Sequence, residues 1–161
     1  MLKCEALREA LQYDPQTGEF TSRVRRGRLT PGARVGSTHR TGYRTIKLCD
    51  QLHQAHRLAW LYVHGEWPPG MLDHINGIKT DNRITNLRVA TGSQNNVNRK
   101  KLSQNTSGAR GVTWNKSSGK WQAALKVNGK CRYLGVFENI EAASAAYRAA
   151  AVQQYGEFAQ S

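Results

Sequence analysis

The sequence predicts an α+β fold in which short helices and short antiparallel strands come in separate blocks. Three stretches carry that expectation. Residues 120–127 (KWQAALKV) alternate in character, with Trp121, Ala123, Leu125 and Val127 on one face and Lys120, Gln122, Ala124 and Lys126 on the other. Asn128-Gly129 then supplies a tight hairpin turn, RYLGVF a partner strand, and NIEAASAAYRAAAVQQYG an alanine-rich helix. Upstream, RLAWLYVH is a short, largely apolar helix that stops at Gly65, with Pro68 and Pro69 beyond it.

The other elements follow from the same local rules. Residues 3–11 (KCEALREAL) have helical character, and YDPQTGEF turns at Asp14-Pro15 and Gly18. Residues 29–42 form a loop rich in proline and glycine. GYRTIKL alternates as a strand, and a turn at Asp50-Gln51 leads to a second strand, LHQAH. Met71 to His74 ends a strand, Asn76-Gly77 makes a turn, Leu87 to Thr91 forms a further strand, and Ser93 caps a helix carrying Asn95, Asn96 and Asn98. Residues 105–108 (NTSG) read as a linker into a last module, where GVTW is the first of three strands. There Ala143, Ala146, Tyr147 and Ala150 are expected to lie on the sheet, with Trp114 and Trp121 in its core.

Charge narrows the partners. The 161 residues carry a formal net charge of +13. No acidic residue stands between Asp81 and Glu138, yet Arg83, Arg88, Arg99, Lys100, Lys101, Arg110, Lys116, Lys120, Lys126, Lys130 and Arg132 all do. Arg23, Arg25, Arg26 and Arg28 make a second basic run. Such a field attracts polyanions, and double-stranded DNA is the expected partner. A membrane is not, since no basic amphipathic helix presents large apolar residues. No protein partner is implied, and the oligomeric state is left open. Cys4, Cys49 and Cys131 are widely spaced and contain no CxxC pair, which speaks against a disulfide framework or a thiolate zinc site. With no signal peptide, long apolar run or lipidation motif, the expected location is the cytoplasm.

The densest chemistry lies in residues 72–99, LDHINGIKTDNRITNLRVATGSQNNVNR. Aspartate and asparagine are hard oxygen donors, suited to Mg²⁺ or Mn²⁺. A histidine beside such a metal can take a proton from water, as phosphodiester hydrolysis requires. A hairpin followed by a helix would bring Asp73 and His74 to the first helical turn. His53 and His56 lack a carboxylate or cysteine to complete a metal set and read as structural; His39 and His64 carry no readable role.

Asp73-His74, Asn86 twelve residues after His74, and Asn95 nine further on resemble the HNH nuclease motif and its ββα-metal fold, in the His-Asn-Asn variant of phage and intron-encoded homing endonucleases. The wording DHINGxxxDNRxxNLR and the preceding HRLAW (56–60) are similar to that group over about residues 43–100. The resemblance implies His74 as general base and Asp73 and Asn95 as ligands of one Mg²⁺ or Mn²⁺ ion. It implies Asn86 as the residue that bonds to the histidine region and fixes its orientation, with Asn82 stabilising the loop.

Residues 107–158 resemble the APETALA-type DNA-binding domain of plant ethylene-response factors, through RGV (110–112), GKW (119–121), YLGVF (133–137) and EAASAAYRAAA. The resemblance implies a three-stranded sheet laid in the major groove. Arg110, Lys120, Lys126, Arg132 and Tyr133 are the expected DNA contacts, joined by Arg99, Lys100 and Lys101. Thr113, Asn115, Ala124 and Cys131 fall where plant members carry charged contacts. The expected segmentation is 1–42 as a helix and β-rich DNA-contacting segment, 43–102 as the nuclease and 107–158 as the DNA-binding sheet. A phage-encoded chain of this kind would work in the bacterial host cytosol. Two alternatives stay open: a DNA-binding transcriptional regulator with an inactive nuclease core, and a last module that binds protein.

Overall fold

A computed structural model describes residues 2–25, 27–98 and 107–159. Arg26, Arg99, Lys100, Lys101 and the first half of the NTSG linker lie outside the described residues. The chain divides into two compact units, Met1–Ala90 and Thr91–Ser161.

In the first unit, α1 (Cys4–Ala10) runs straight into a hairpin of β1 (Leu11–Asp14) and β2 (Glu19–Ser22), paired from Leu11–Ser22 to Asp14–Glu19. A second sheet orders β3 (Ser37–Thr38), β4 (Arg44–Leu48) and β5 (Gln51–Gln54) side by side. Then come α2 (Ala55–His64) and a third hairpin, β6 (Met71–His74) with β7 (Leu87–Ala90), whose strands are joined by a long loop ending in a 3-10 turn, Ile84–Asn86.

Seven-residue helices and four-residue strands cannot bury their own apolar sides, so they pool them. Cys4, Leu7, Leu11, Tyr13 and Phe20 share one buried cluster with Ile46, Leu48, Leu58, Leu61 and Leu87. Residues 1–42 are therefore one half of a common core and do not stand as a separate segment. The boundary between units falls at Ala90, ahead of α3 (Gly92–Asn98), where the sequence suggested 102–107.

Three local readings shift by one or two residues. The β4–β5 turn is Cys49-Asp50, both left-handed at φ 49° and 57°, one residue before the expected pair. Pairing with β4 ends at Gln54, so Ala55 and His56 open α2 instead of extending the strand. Thr91, not Ser93, caps α3: the Gln94 N–H donates to Thr91 Oγ1 at 3.3 Å, and the Thr91 N–H donates back to Gln94 Oε1 at 2.7 Å. Gly65 ends α2 at φ 79°, as expected of a left-handed cap.

The second unit holds α3, the antiparallel sheet β8 (Val112–Asn115), β9 (Lys120–Val127) and β10 (Lys130–Phe137), then α4 (Ile140–Tyr155) and a closing 3-10 turn, Gly156–Ala159. Asn128 and Gly129 take φ 49° and 83°, the two left-handed residues that the hairpin turn needs. Asn139 caps α4 by accepting from the Ala142 N–H at 2.8 Å. Ala143, Tyr147, Ala151 and Tyr155 are the buried face of that helix. Trp114 departs from the expected core position. It is 49% exposed at the edge strand β8, its ring edge-on to Trp121 with centroids 5.0 Å apart.

Candidate active site

The β6–β7 register sets Asp73 opposite Arg88 and His74 opposite Leu87. Cross-strand partners share a face, and the Arg88 guanidinium donates to Asp73 Oδ2 through Nε at 3.0 Å and forms an ion pair with it, Nη2 lying 2.9 Å from Oδ2. His74 is almost wholly buried. Its Nε2 meets Asn82 Oδ1 at 3.2 Å, and its ring stands edge-on to His56, centroids 5.0 Å apart, with Tyr43 at 5.9 Å.

Burial removes solvation from the charged imidazolium and lowers the His74 pKa; the Asn82 bond and the Asp73 and Asp81 charges pull the other way without reversing it. His74 is thus a neutral ring near pH 7, able to accept a proton. His56 goes further, to about 3, through burial first, then the neighbouring His74 and Arg57.

The asparagines of this stretch wire the loop between β6 and β7. The Asn86 backbone oxygen accepts from the Ile75 N–H at 2.9 Å, its Oδ1 from the Asn76 N–H at 3.1 Å, and its Nδ2 donates to Asn76 Oδ1 at 3.0 Å and the Asp81 carbonyl at 2.9 Å. Asn86 therefore ties down the two residues that follow His74. Asp81 receives Arg83 Nε at 2.8 Å and Asn76 Nδ2 at 2.7 Å, and these bonds, Arg83 foremost, hold its carboxyl down at about 2.

Asn82, 1% exposed, is a side chain whose amide oxygen meets the His74 ring nitrogen. Sequence reasoning gave Asn82 only a loop role and left Tyr43, His56 and Arg88 without a place in the site. Their contacts are tertiary, and the only local signal was the HRLAW stretch beside the motif. The His53 ring stacks on Trp67, centroids 5.9 Å apart.

Asn95 lies on α3, in the second unit, its N–H donating to the Thr91 carbonyl at 2.9 Å. Among the described residues no group of three or more His, Cys, Asp or Glu could cage a metal ion. The Asp73 carboxylate and the asparagine amides of the motif are oxygen donors, and that chemistry fits a hard divalent ion.

The expected DNA contacts separate by face. Lys126, opposite Cys131, and Tyr133, opposite Ala124, project on the side of the sheet away from the buried Ala123 and Leu125. Lys120 shares that side, opposite Asn115, and pairs with Glu138 at 2.6 Å. Arg132 stands opposite the buried Leu125, so the register puts it on the helix-bearing side of the sheet. Arg110 donates through Nη1 to the Val97 carbonyl of α3.

A family model described as HNH endonuclease matches residues 53–97. Protein 3.8 of Escherichia phage T7 is 30% identical over 105 residues, 65% of this chain and 86% of that protein. An uncharacterized HNH endonuclease of Acanthamoeba polyphaga mimivirus is 33% identical over 108 residues, 66% of this chain and 55% of that protein, so the chain spans about half of its length. No solved structure matches. The chain belongs to the HNH endonuclease family.

Proposed function

We propose that the chain is a metal-dependent nuclease of phage homing type that hydrolyses phosphodiester bonds in double-stranded DNA. The carrying observation is a buried His74 that follows Asp73 on one strand of a hairpin, within the segment that matches the HNH endonuclease family model. In this reading His74 takes the proton of the attacking water. Asp73 and Asn95 hold one divalent ion, Mg²⁺ or Mn²⁺, which supplies Lewis-acid polarisation of the scissile phosphate when bound. Asn86 fixes the turn behind His74, and Arg88 orients the Asp73 carboxylate. The second unit's sheet holds DNA through Lys126, Tyr133 and Lys120 on its open face.

The test is cleavage of plasmid DNA with Mg²⁺, with EDTA, and with a His74→Ala variant. Chelation should abolish cutting. His74→Ala should lower the rate by about 10²–10⁴-fold, the ordinary contribution of a general base, while leaving DNA affinity in place. Cutting that persists in EDTA, or a variant as fast as the parent chain, would remove this reading.

A further inference from the structure

The N-terminal hairpin reaches the active site through one buried residue. Tyr13 Oη, on β1, donates to the backbone carbonyl of Asn82 at 2.8 Å across 69 residues of sequence. The turn of the same hairpin presses on the same spot. Gly18, at φ +74°, lies so close that a Cβ there would sit 2.4 Å from the Arg83 nitrogen and 2.6 Å from the Asn82 carbonyl carbon. Asn82 is thus gripped at its backbone, while its side chain meets His74 Nε2 at 3.2 Å. An amide oxygen only accepts, so in this contact Nε2 carries the proton.

We propose that Tyr13 is a positioning residue for His74, acting through Asn82, and that the β1–β2 hairpin is part of the catalytic apparatus. The inference rests on His74 as the general base. Tyr13 lies outside residues 53–97, the segment that matches the family model. The Tyr13 ring is already fixed by Phe20 and Tyr62, with centroids 4.9 and 5.7 Å away, so packing alone would be served by phenylalanine. The hydroxyl adds a donor to a carbonyl that is out of water. Burial keeps that hydroxyl protonated, with its pKa pushed up to about 12. A second strap grips the same loop three residues before Asn82: Lys79 Nζ donates to the Thr41 carbonyl at 2.8 Å and lies 4.8 Å from the centre of the Tyr43 ring.

The experiment uses the full chain, with Tyr13→Phe and Asn82→Ala variants. Two readouts are taken together: the nitrogen chemical shifts of the His74 ring near neutral pH, and kcat and KM on duplex DNA. The parent chain should show His74 as the Nε2–H tautomer. Asn82→Ala should shift the ring toward a tautomer mixture, and Tyr13→Phe should move it the same way by less. With Tyr13→Phe, kcat should fall about tenfold, the factor that one misplaced hydrogen bond is worth, while KM stays within about twofold.

An Nδ1–H tautomer in the parent chain, or ring signals unmoved in both variants, would overturn the proposal. So would a fall in kcat that disappears once rates are divided by the folded fraction, since a merely structural hydroxyl would act that way. If the ring signals respond but the parent chain cuts no DNA, the nuclease reading falls and the Tyr13–Asn82–His74 connection stands.

Discussion

Gly18→Ala offers the sharpest mechanical test of how the first unit holds its site. Gly18 and Gly65 are both left-handed, at φ +74° and +79°. A Cβ costs each of them about 1–2 kcal/mol of backbone strain. The surroundings differ. At Gly65 nothing lies within 4 Å of the added atom, whereas at Gly18 it would overlap the Asn82 and Arg83 backbone at 2.6 and 2.4 Å. Ordinary contact is at about 3.5–4 Å, so the hairpin and the loop must part by about 1 Å. Gly65→Ala should therefore cost about 1 kcal/mol, and Gly18→Ala about 3–4 kcal/mol as the strain and the lost packing add. For a unit of this size the difference is about 10–20 °C in Tm. Because the displaced residue, Asn82, meets the His74 ring, single-turnover cleavage measured well below Tm should also slow, by up to about 10²-fold for a 1 Å misplacement. Thermal unfolding and single-turnover rates of the two variants decide the matter. Gly18→Ala as mild as Gly65→Ala, or with an unchanged rate, would refute the clamp.

Asn86→Ala deletes three side-chain hydrogen bonds, those with the Asn76 N–H, Asn76 Oδ1 and the Asp81 carbonyl. It should destabilise the first unit by about 2–3 kcal/mol and slow cleavage; an unaltered unfolding midpoint would contradict the role given to it. Acid should destabilise the same unit. The folded pKa of His56 lies near 3, below the unfolded value of about 6.5, so the unfolded chain binds more protons between these limits. The contribution is complete above about pH 6.5 and fades at up to ~1.4 kcal/mol per pH unit as pH falls toward 3. Denaturant titrations from pH 7 to pH 5 should show this slope for the parent chain and a shallower one for His56→Gln. An equal slope in both would place the proton uptake elsewhere.

Elements written in local chemistry were legible. The β9–β10 hairpin follows from strict alternation and Asn128-Gly129, and α2 from an apolar run closed by Gly65. The spacing of Asp73, His74, Asn86 and Asn95 marks the segment that the family model matches. Features set by tertiary contact were not legible. Nothing in the string says that Tyr13 bonds to Asn82, or that residues 1–42 lend their leucines to a core shared with α2. Trp114 looks like core by composition, but an edge strand leaves it half exposed. Thr91 escaped notice because Ser93 also suits a cap. The Gln three residues after Thr91, which completes the reciprocal pair, was the available clue.

The face assignment in the second unit turns a general claim about charge into a discriminating one. Removing the module by ending the chain near Ser103 would be a poor experiment, because α3, which carries Asn95, packs against α4 and the closing 3-10 turn. Two single substitutions separate the possibilities better. Lys126 projects from the open face of the sheet, and Arg132, exposed and of equal charge, stands opposite Leu125 on the other. If the field alone held DNA, losing either charge would weaken binding alike. If the open face meets the backbone, Lys126→Ala should lower the slope of log affinity against log salt by about 0.9, one phosphate contact's worth. Arg132→Ala should then leave that slope unchanged. The measurement is a salt titration of binding to one duplex for the parent chain and both variants. The cleavage rate at saturating DNA should stay the same in all three, since neither residue belongs to the candidate catalytic set. An Arg132→Ala slope as reduced as that of Lys126→Ala would mean that DNA does not distinguish the two faces, and the open sheet would lose its place as the docking surface.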